Sequence, residues 1–167
     1  MSGKGMFNVS TRVQYGFLAL LALADGDGKT PVRLGSIARD LNLSFKYLEN
    51  IFQPLVKAGI VRGTRGPEGG YVLERDPRSL SLYDIFRALE GPVFTVECFD
   101  EESACRHLAL CPVRDLWGEL RGSLEKFLKR RTLADIKSKY KKPVVLAHME
   151  MFGVAGEETG KKESASI

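Results

Sequence analysis

The sequence predicts a mainly α-helical chain with one small β-hairpin, in the order of a winged helix-turn-helix followed by a long helix. Three observations predict it. Two short amphipathic patterns flank the turn-forming stretch Asn42-Leu43-Ser44. A glycine-rich loop, RGPEGG at 65–70, separates two strand-like runs directly after them. From Pro112 an apolar stripe recurs at three- and four-residue steps as far as Leu128, which is the signature of a long amphipathic helix.

The elements follow in order. Ser10 or Thr11 can cap a first helix, because either hydroxyl accepts from the orphan backbone donors of a first turn. Val13, Phe17, Leu20, Leu21 and Ala24 then repeat at helical spacing, and DGDGKTP at 25–31 ends the run. Leu34, Ile37, Ala38 and Leu41 mark a short helix. Ser44 is placed to cap the next, whose apolar positions are Tyr47, Leu48, Ile51, Phe52 and Leu55. Pro54 lies inside that helix, where it removes a backbone hydrogen bond, so a kink near Asn50 or an early end is expected. Ile60–Thr64 and Tyr71–Leu73 read as the strands of a hairpin tipped by Arg65 and the glycines. The loop is no phosphate-cradling P-loop, since no Gly-Lys-Ser/Thr follows it.

Ser81 and Asp84 form a capping-box-like pair before Leu82, Ile85, Phe86 and Leu89, and Gly91-Pro92 stops that helix. Pro112 suits the first position of the long helix, whose stripe is Val113, Leu116, Trp117, Leu120, Leu124, Phe127 and Leu128. Such a seam packs along another helix, either of the same chain or of a second one. Gly118 and Gly122 each cost a helix roughly 1 kcal/mol relative to Ala and leave room for a close neighbour. The domain boundaries that result are 7–78 for the winged helix-turn-helix, 79–140 for the cysteine loop and long helix, and 141–167 for a polar tail expected to be partly disordered.

With 167 residues, of which 44% are hydrophobic and 28% charged, the chain has the composition of an ordinary soluble protein. The strongly apolar run from Phe17 to Ala24 is too short to span a bilayer, and MSGKGMFNVS does not resemble a signal peptide. No membrane partner and a cytoplasmic location are expected. The net charge of +4 is unevenly placed: Met1–Arg78 carries 11 Lys/Arg against 7 Asp/Glu, and the remainder is balanced. A basic N-terminal half suits a polyanion. Two histidines and no nucleophile–base motif argue against an enzyme.

All three cysteines, Cys98, Cys105 and Cys111, fall within one stretch with x6 and x5 spacers. Clustered thiols in a reducing compartment bind metal or sense redox state more often than they form structural disulfides. On one straight helix Cys111 would sit roughly 240° around the axis from Cys105, so convergence requires a loop. The residue types leave three readings open: an iron–sulfur site, a zinc site on Cys98, Cys105, Cys111 and His107, and a cluster-free thiol switch.

The segments STRVQYGFLALLALA, SIARDLNLSFKYLENIFQPLVKAGIVRGTRGPEGGYVL, SLYDIFRALEGP and CPVRDLWGELRGSLEKFLKRRTLADI resemble the bacterial winged-helix transcription regulators of the IscR/NsrR type. The likeness runs from about Phe7 to Ile136. It implies homodimers on partly palindromic double-stranded DNA operators, with long helices crossing between subunits as dimerisation helices. It implies DNA contacts from the second helix of the helix-turn-helix and from the wing. Ser44, Lys46, Tyr47 and Asn50 then face groove or phosphate, with Tyr47 equally a core-facing aromatic. Glu49 can accept from cytosine N4. Arg62, Arg65 and Gly66 belong to the wing. Arg39 and Lys57 read as a solvated helix face.

The resemblance also implies an iron–sulfur cluster, [2Fe–2S] or [4Fe–4S], on Cys98, Cys105 and Cys111. The fourth ligand is open. Arg114 stands where some members have a histidine and cannot ligate. Gln14 matches a position from which others supply a side chain of the partner's first helix, and His107 lies inside the loop.

Overall fold

A computed structural model of the chain describes residues 9–26, 30–66, 69–93 and 111–139. It has the element order α1 (Thr11–Asp25), α2 (Leu34–Asp40), α3 (Phe45–Lys57), β1 (Val61–Thr64), β2 (Gly70–Leu73), α4 (Leu82–Glu90), α5 (Pro112–Lys129) and α6 (Leu133–Lys137). The two strands pair antiparallel, with Val61 opposite Leu73 and Thr64 opposite Gly70. This is the mainly helical fold with one hairpin that the sequence predicts.

Ser10 is the cap of α1, its hydroxyl oxygen accepting from the Val13 N–H at 3.2 Å. The same hydroxyl donates to the Glu90 carboxylate at the end of α4. The two helices meet closely: a Cβ on Gly16 would lie 2.5 Å from a methyl of Leu89. Val13, Leu20, Leu21 and Ala24 are buried with Ile37, Leu41, Leu48, Ile51, Phe52, Leu55, Ile85 and Leu89 in one core. Burial of the larger of these side chains, each stabilising by about 1.5–3 kcal/mol, outweighs the weak intrinsic helicity of elements as short as α2.

The second helix of the pair does not end early at Pro54; α3 runs on to Lys57. Pro54 has no N–H for the Asn50 carbonyl four residues back, and the Arg12 guanidinium of α1 donates to that oxygen instead, at 3.4 Å. A donor from a distant helix thus satisfies the acceptor that proline abandons.

The hairpin is tied to the body by an isolated bridge between Val32 and Tyr71, in which each N–H donates to the other's carbonyl at 2.9 Å. The Tyr71 ring meets buried Phe52 edge-on at 4.8 Å.

At α4 the expected capping box is only half formed. Ser81 Oγ accepts from the Asp84 N–H, but the Asp84 carboxylate takes Arg75 Nη2 at 3.0 Å. The complete box lies at α6. There Thr132 Oγ1 accepts from the Asp135 N–H, and Asp135 accepts from the Thr132 N–H at 2.8 Å. That reciprocal bond to backbone holds the Asp135 carboxyl below its usual value. Leu133 is fully buried and donates its N–H to the Leu80 carbonyl, while the Leu82 N–H donates to Arg131 O. The chain leaving α5 is thereby seated on the start of α4.

Candidate functional site

The site is built on α3. Ser44 caps it by accepting from the Tyr47 N–H at 3.2 Å. Four side chains, Leu48, Ile51, Phe52 and Leu55, are buried along one face, so the rest of the helix turns outward. Phe45, Lys46, Asn50 and Gln53 are exposed, and Glu49 is half-buried. A carboxylate oxygen of Glu49 accepts from Lys46 Nζ at 2.9 Å, an ion pair whose lysine is 75% exposed. Such a surface pair holds by less than about 1 kcal/mol and yields readily to a stronger anion.

Tyr47 faces away from that surface. Its ring stands edge-on to Tyr15 at 6.3 Å, its hydroxyl lies 3.4 Å from Thr11 Oγ1, and it packs against the core. Tyr47 is thus half-buried, its ring on the core and its hydroxyl beside exposed Thr11. Asn50 lies on the α1 side of the helix, its carbonyl held by Arg12.

On the other side of α3 lies the wing. Arg65 is exposed and Gly66 adopts φ +110°, a left-handed backbone that favours glycine. Arg62 is paired with Glu74 at 2.6 Å, both partners substantially exposed. A groove of about 440 Å³ separates wing from helix, lined among others by Arg33, Phe45, Thr64, Arg65 and Tyr71. Arg39 and Lys57 are exposed on helix surfaces, as expected of a solvated face.

Two features of this surface were not picked out from sequence. Phe45 is 55% exposed at the first position of α3. Gln53 lies two turns further along the same face. For Phe45 the signal was the Ser44 cap directly before it.

Of the cysteine segment, Cys98, Cys105 and His107 lie outside the described residues. Cys111 is the N-cap residue of α5 and is half-buried. Arg114 and Gln14 are exposed, on α5 and α1 respectively. Among the described residues no three His, Cys, Asp or Glu side chains converge on a metal position. Of the donor set, only Cys111 and Gln14 are therefore in view.

No residue of α5 is buried. Leu128 packs against the core and Lys129 lies 4.3 Å over the Tyr83 ring, so the C-terminal end of the helix is seated. Val113, Leu116 and Phe127 are 48%, 55% and 59% exposed, leaving much of the stripe uncovered by its own chain. A Cβ on Gly122 would meet nothing within 4 Å. Among the described residues no helix is long and apolar enough to cross a membrane.

A short helix pair whose capped second member faces outward, with a pinned hairpin beside it, defines a winged helix-turn-helix regulator. Residues 9–139 match the Rrf2 family, described as iron-dependent transcriptional regulators. The chain is 38% identical over 130 residues to the HTH-type transcriptional regulator CymR of Bacillus subtilis, covering 78% of this chain and 89% of that one. The solved structure of that protein, described as the global cysteine regulator, superimposes with a TM-score of 0.66 and 36% identity, covering 81% of this chain and 100% of the other. The structure of T. potens IscR gives a TM-score of 0.64 at 36% identity, covering 82% and 90%. The chain belongs to the Rrf2 family of transcriptional regulators; the relatives are regulators, not enzymes.

Proposed function

We propose that the chain is a homodimeric regulator that binds double-stranded operator DNA through α3 and the wing, and that an iron–sulfur cluster on Cys98, Cys105 and Cys111 sets its affinity. The outward face of α3 beside a fixed wing carries the DNA reading. Residues at the start of such a helix reach base edges while flanking elements grip phosphates. Ser44 and Lys46 serve the backbone, Asn50 and Glu49 the groove, and Arg62, Arg65 and Gly66 the adjoining strand. Glu49 exchanges Lys46 for a cytosine amino group where the sequence offers one.

The uncovered stripe of α5 supports a dimer, because burying Val113, Leu116 and Phe127 against a second copy removes apolar surface from water. Three thiolates are a donor set suited to iron–sulfur chemistry, and the family description names iron. When bound, such a cluster supplies a redox- and gas-sensitive iron centre. The chain's own part is to fix the start of α5: Cys111 immediately precedes the helix, so a change in the loop is delivered to the dimer seam. Arg114, a cation in the first turn, leaves a fourth ligand to Gln14 of a partner, to His107 or to an exogenous group.

A second reading is a cluster-free thiol switch, favoured by the likeness to CymR, named a global cysteine regulator. A zinc site on the same cysteines with His107 has no such observation behind it. Purification without oxygen, followed by visible spectroscopy, metal analysis and operator titration before and after cluster loss, separates these. A coloured protein with iron and sulfide, and an affinity that changes on cluster loss, is expected. Colourless protein with unchanged affinity after thiol oxidation would remove both switches and leave only the DNA reading.

A further inference from the structure

Phe45 is exposed where an apolar ring has no structural reason to be. It is not among the side chains packed against the core, and no aromatic contact of its ring occurs among the described residues. It precedes Glu49 and Gln53 by one and two turns on the outward face of α3, and it forms one wall of the groove beside the wing. The opposite wall is fixed in place. The Val32–Tyr71 bridge pins the hairpin, and at Gly70 a Cβ would lie 2.5 Å from the Val32 carbonyl oxygen.

The surroundings are basic: Arg33 and Arg65 line the same groove, and Lys46 is the next residue of the helix. The Glu49 carboxylate on the same helix is engaged by that lysine. An apolar ring ringed by cations, at the end of a helix that enters a major groove, fits one occupant. The sugar–phosphate strand meets the cations, and the ring meets the apolar group that a base edge presents there, the 5-methyl of thymine.

We propose that Phe45 is a specificity-determining residue, its ring contacting thymine methyl groups on the wing side of each operator half-site. This rests on the DNA reading above and deepens it. Methyl recognition supplies no charge, so it selects sequence without adding to the salt-dependent part of binding. It also divides labour along the helix. Glu49 and Asn50 read hydrogen-bonding edges, and Phe45 reads shape.

The test uses the full-length protein and an operator selected from a random duplex library. Each thymine of a half-site is replaced singly by deoxyuridine, which keeps the base pair and removes only the methyl. One or two positions should then weaken the wild type by about fourfold, the factor carried by burying one methylene-sized group. Phe45→Ala should lose the thymine operator by a similar factor, be indifferent to uridine at those positions, and keep the salt slope. Phe45→Leu should retain part of the discrimination. Thermal melting confirms that both variants fold, as the exposure of the ring implies. Uridine penalties that persist unchanged in Phe45→Ala would overturn the proposal while leaving DNA binding intact. So would a lowered salt slope in that variant, which would put the ring on the backbone. If the wild type selects no sequence and binds no duplex, the DNA reading itself fails, and the assignment of Phe45 with it.

Discussion

Gly70→Ala tests how the wing is held. The added Cβ would lie 2.5 Å from the Val32 carbonyl oxygen and 2.7 Å from its carbon, whereas ordinary contact begins near 3.4 Å. The obstacle is backbone, so the hairpin must move away by about 0.9 Å (the difference of those distances). The two 2.9 Å hydrogen bonds between Val32 and Tyr71 then lengthen beyond useful geometry, each worth about 1 kcal/mol net. Against that roughly 2 kcal/mol loss stands a gain of about 0.4–1 kcal/mol, because alanine restricts the unfolded chain. A net destabilisation of about 1–1.5 kcal/mol follows, read as a lower urea midpoint at unchanged m-value and a Tm drop of about 4 °C. Gly35→Ala is the matched control: it lies in α2 and its added Cβ meets nothing within 4 Å, so it should stabilise by about 0.5–1 kcal/mol. Because the wing shifts, Gly70→Ala should also weaken operator binding, and Gly35→Ala should not. Identical midpoints for the two variants would refute the reasoning, since they would show that the Val32 contact does not constrain the hairpin.

Arg65→Ala should weaken every operator alike and reduce the slope of log affinity against log salt by about one, as for one lost phosphate contact; a sequence-selective loss at constant slope would put Arg65 on a base. Leu116→Asp should leave the fold intact, because the side chain is largely exposed, yet loosen the proposed dimer by at least roughly tenfold in sedimentation equilibrium. An unchanged dimer would move the seam off α5. Asp135 has its carboxyl lowered by the Thr132 N–H it accepts from. Its contribution to stability is therefore full above about 3.9, the value in an unfolded chain, and is lost as pH falls through the lowered folded value. The Tm gap between wild type and Asp135→Ala should accordingly narrow from pH 7 to pH 3, and a gap that widens on acidification would contradict the capping role.

What was legible in the sequence was what local chemistry decides. Ser10, Ser44 and Ser81 mark three helix starts because a hydroxyl at that position is the commonest local answer to orphan N–H groups. The hairpin is written in its glycines. What escaped depended on residues far away in the chain. Pro54 reads as a helix end until Arg12, forty-two positions earlier, is seen to supply the missing donor. The α6 box, Thr132 with Asp135, is visible in the sequence, but five residues cannot hold a helix without the tertiary seat provided by Leu80 and Leu133. The helix period puts Tyr47 at the border of two faces, and its edge-on contact with Tyr15 is made between helices, out of reach of local pattern. The cysteine segment follows no period, and spacing alone does not fix a ligand set.

The way α5 is fastened makes it a lever with its fulcrum at one end. Its last turn is clamped by Leu128, the Lys129–Tyr83 contact and the seated α6, while Val113 and Leu116 near its beginning stand open. Eighteen residues give an arm of roughly 27 Å at 1.5 Å per residue. An ångström-scale adjustment at Cys111 therefore becomes a swing of only a few degrees about Lys129. In the proposed dimer, a helix fastened this way has long mechanical advantage and short throw: a change at Cys111 would make fine corrections to how two copies are aligned, not throw them apart.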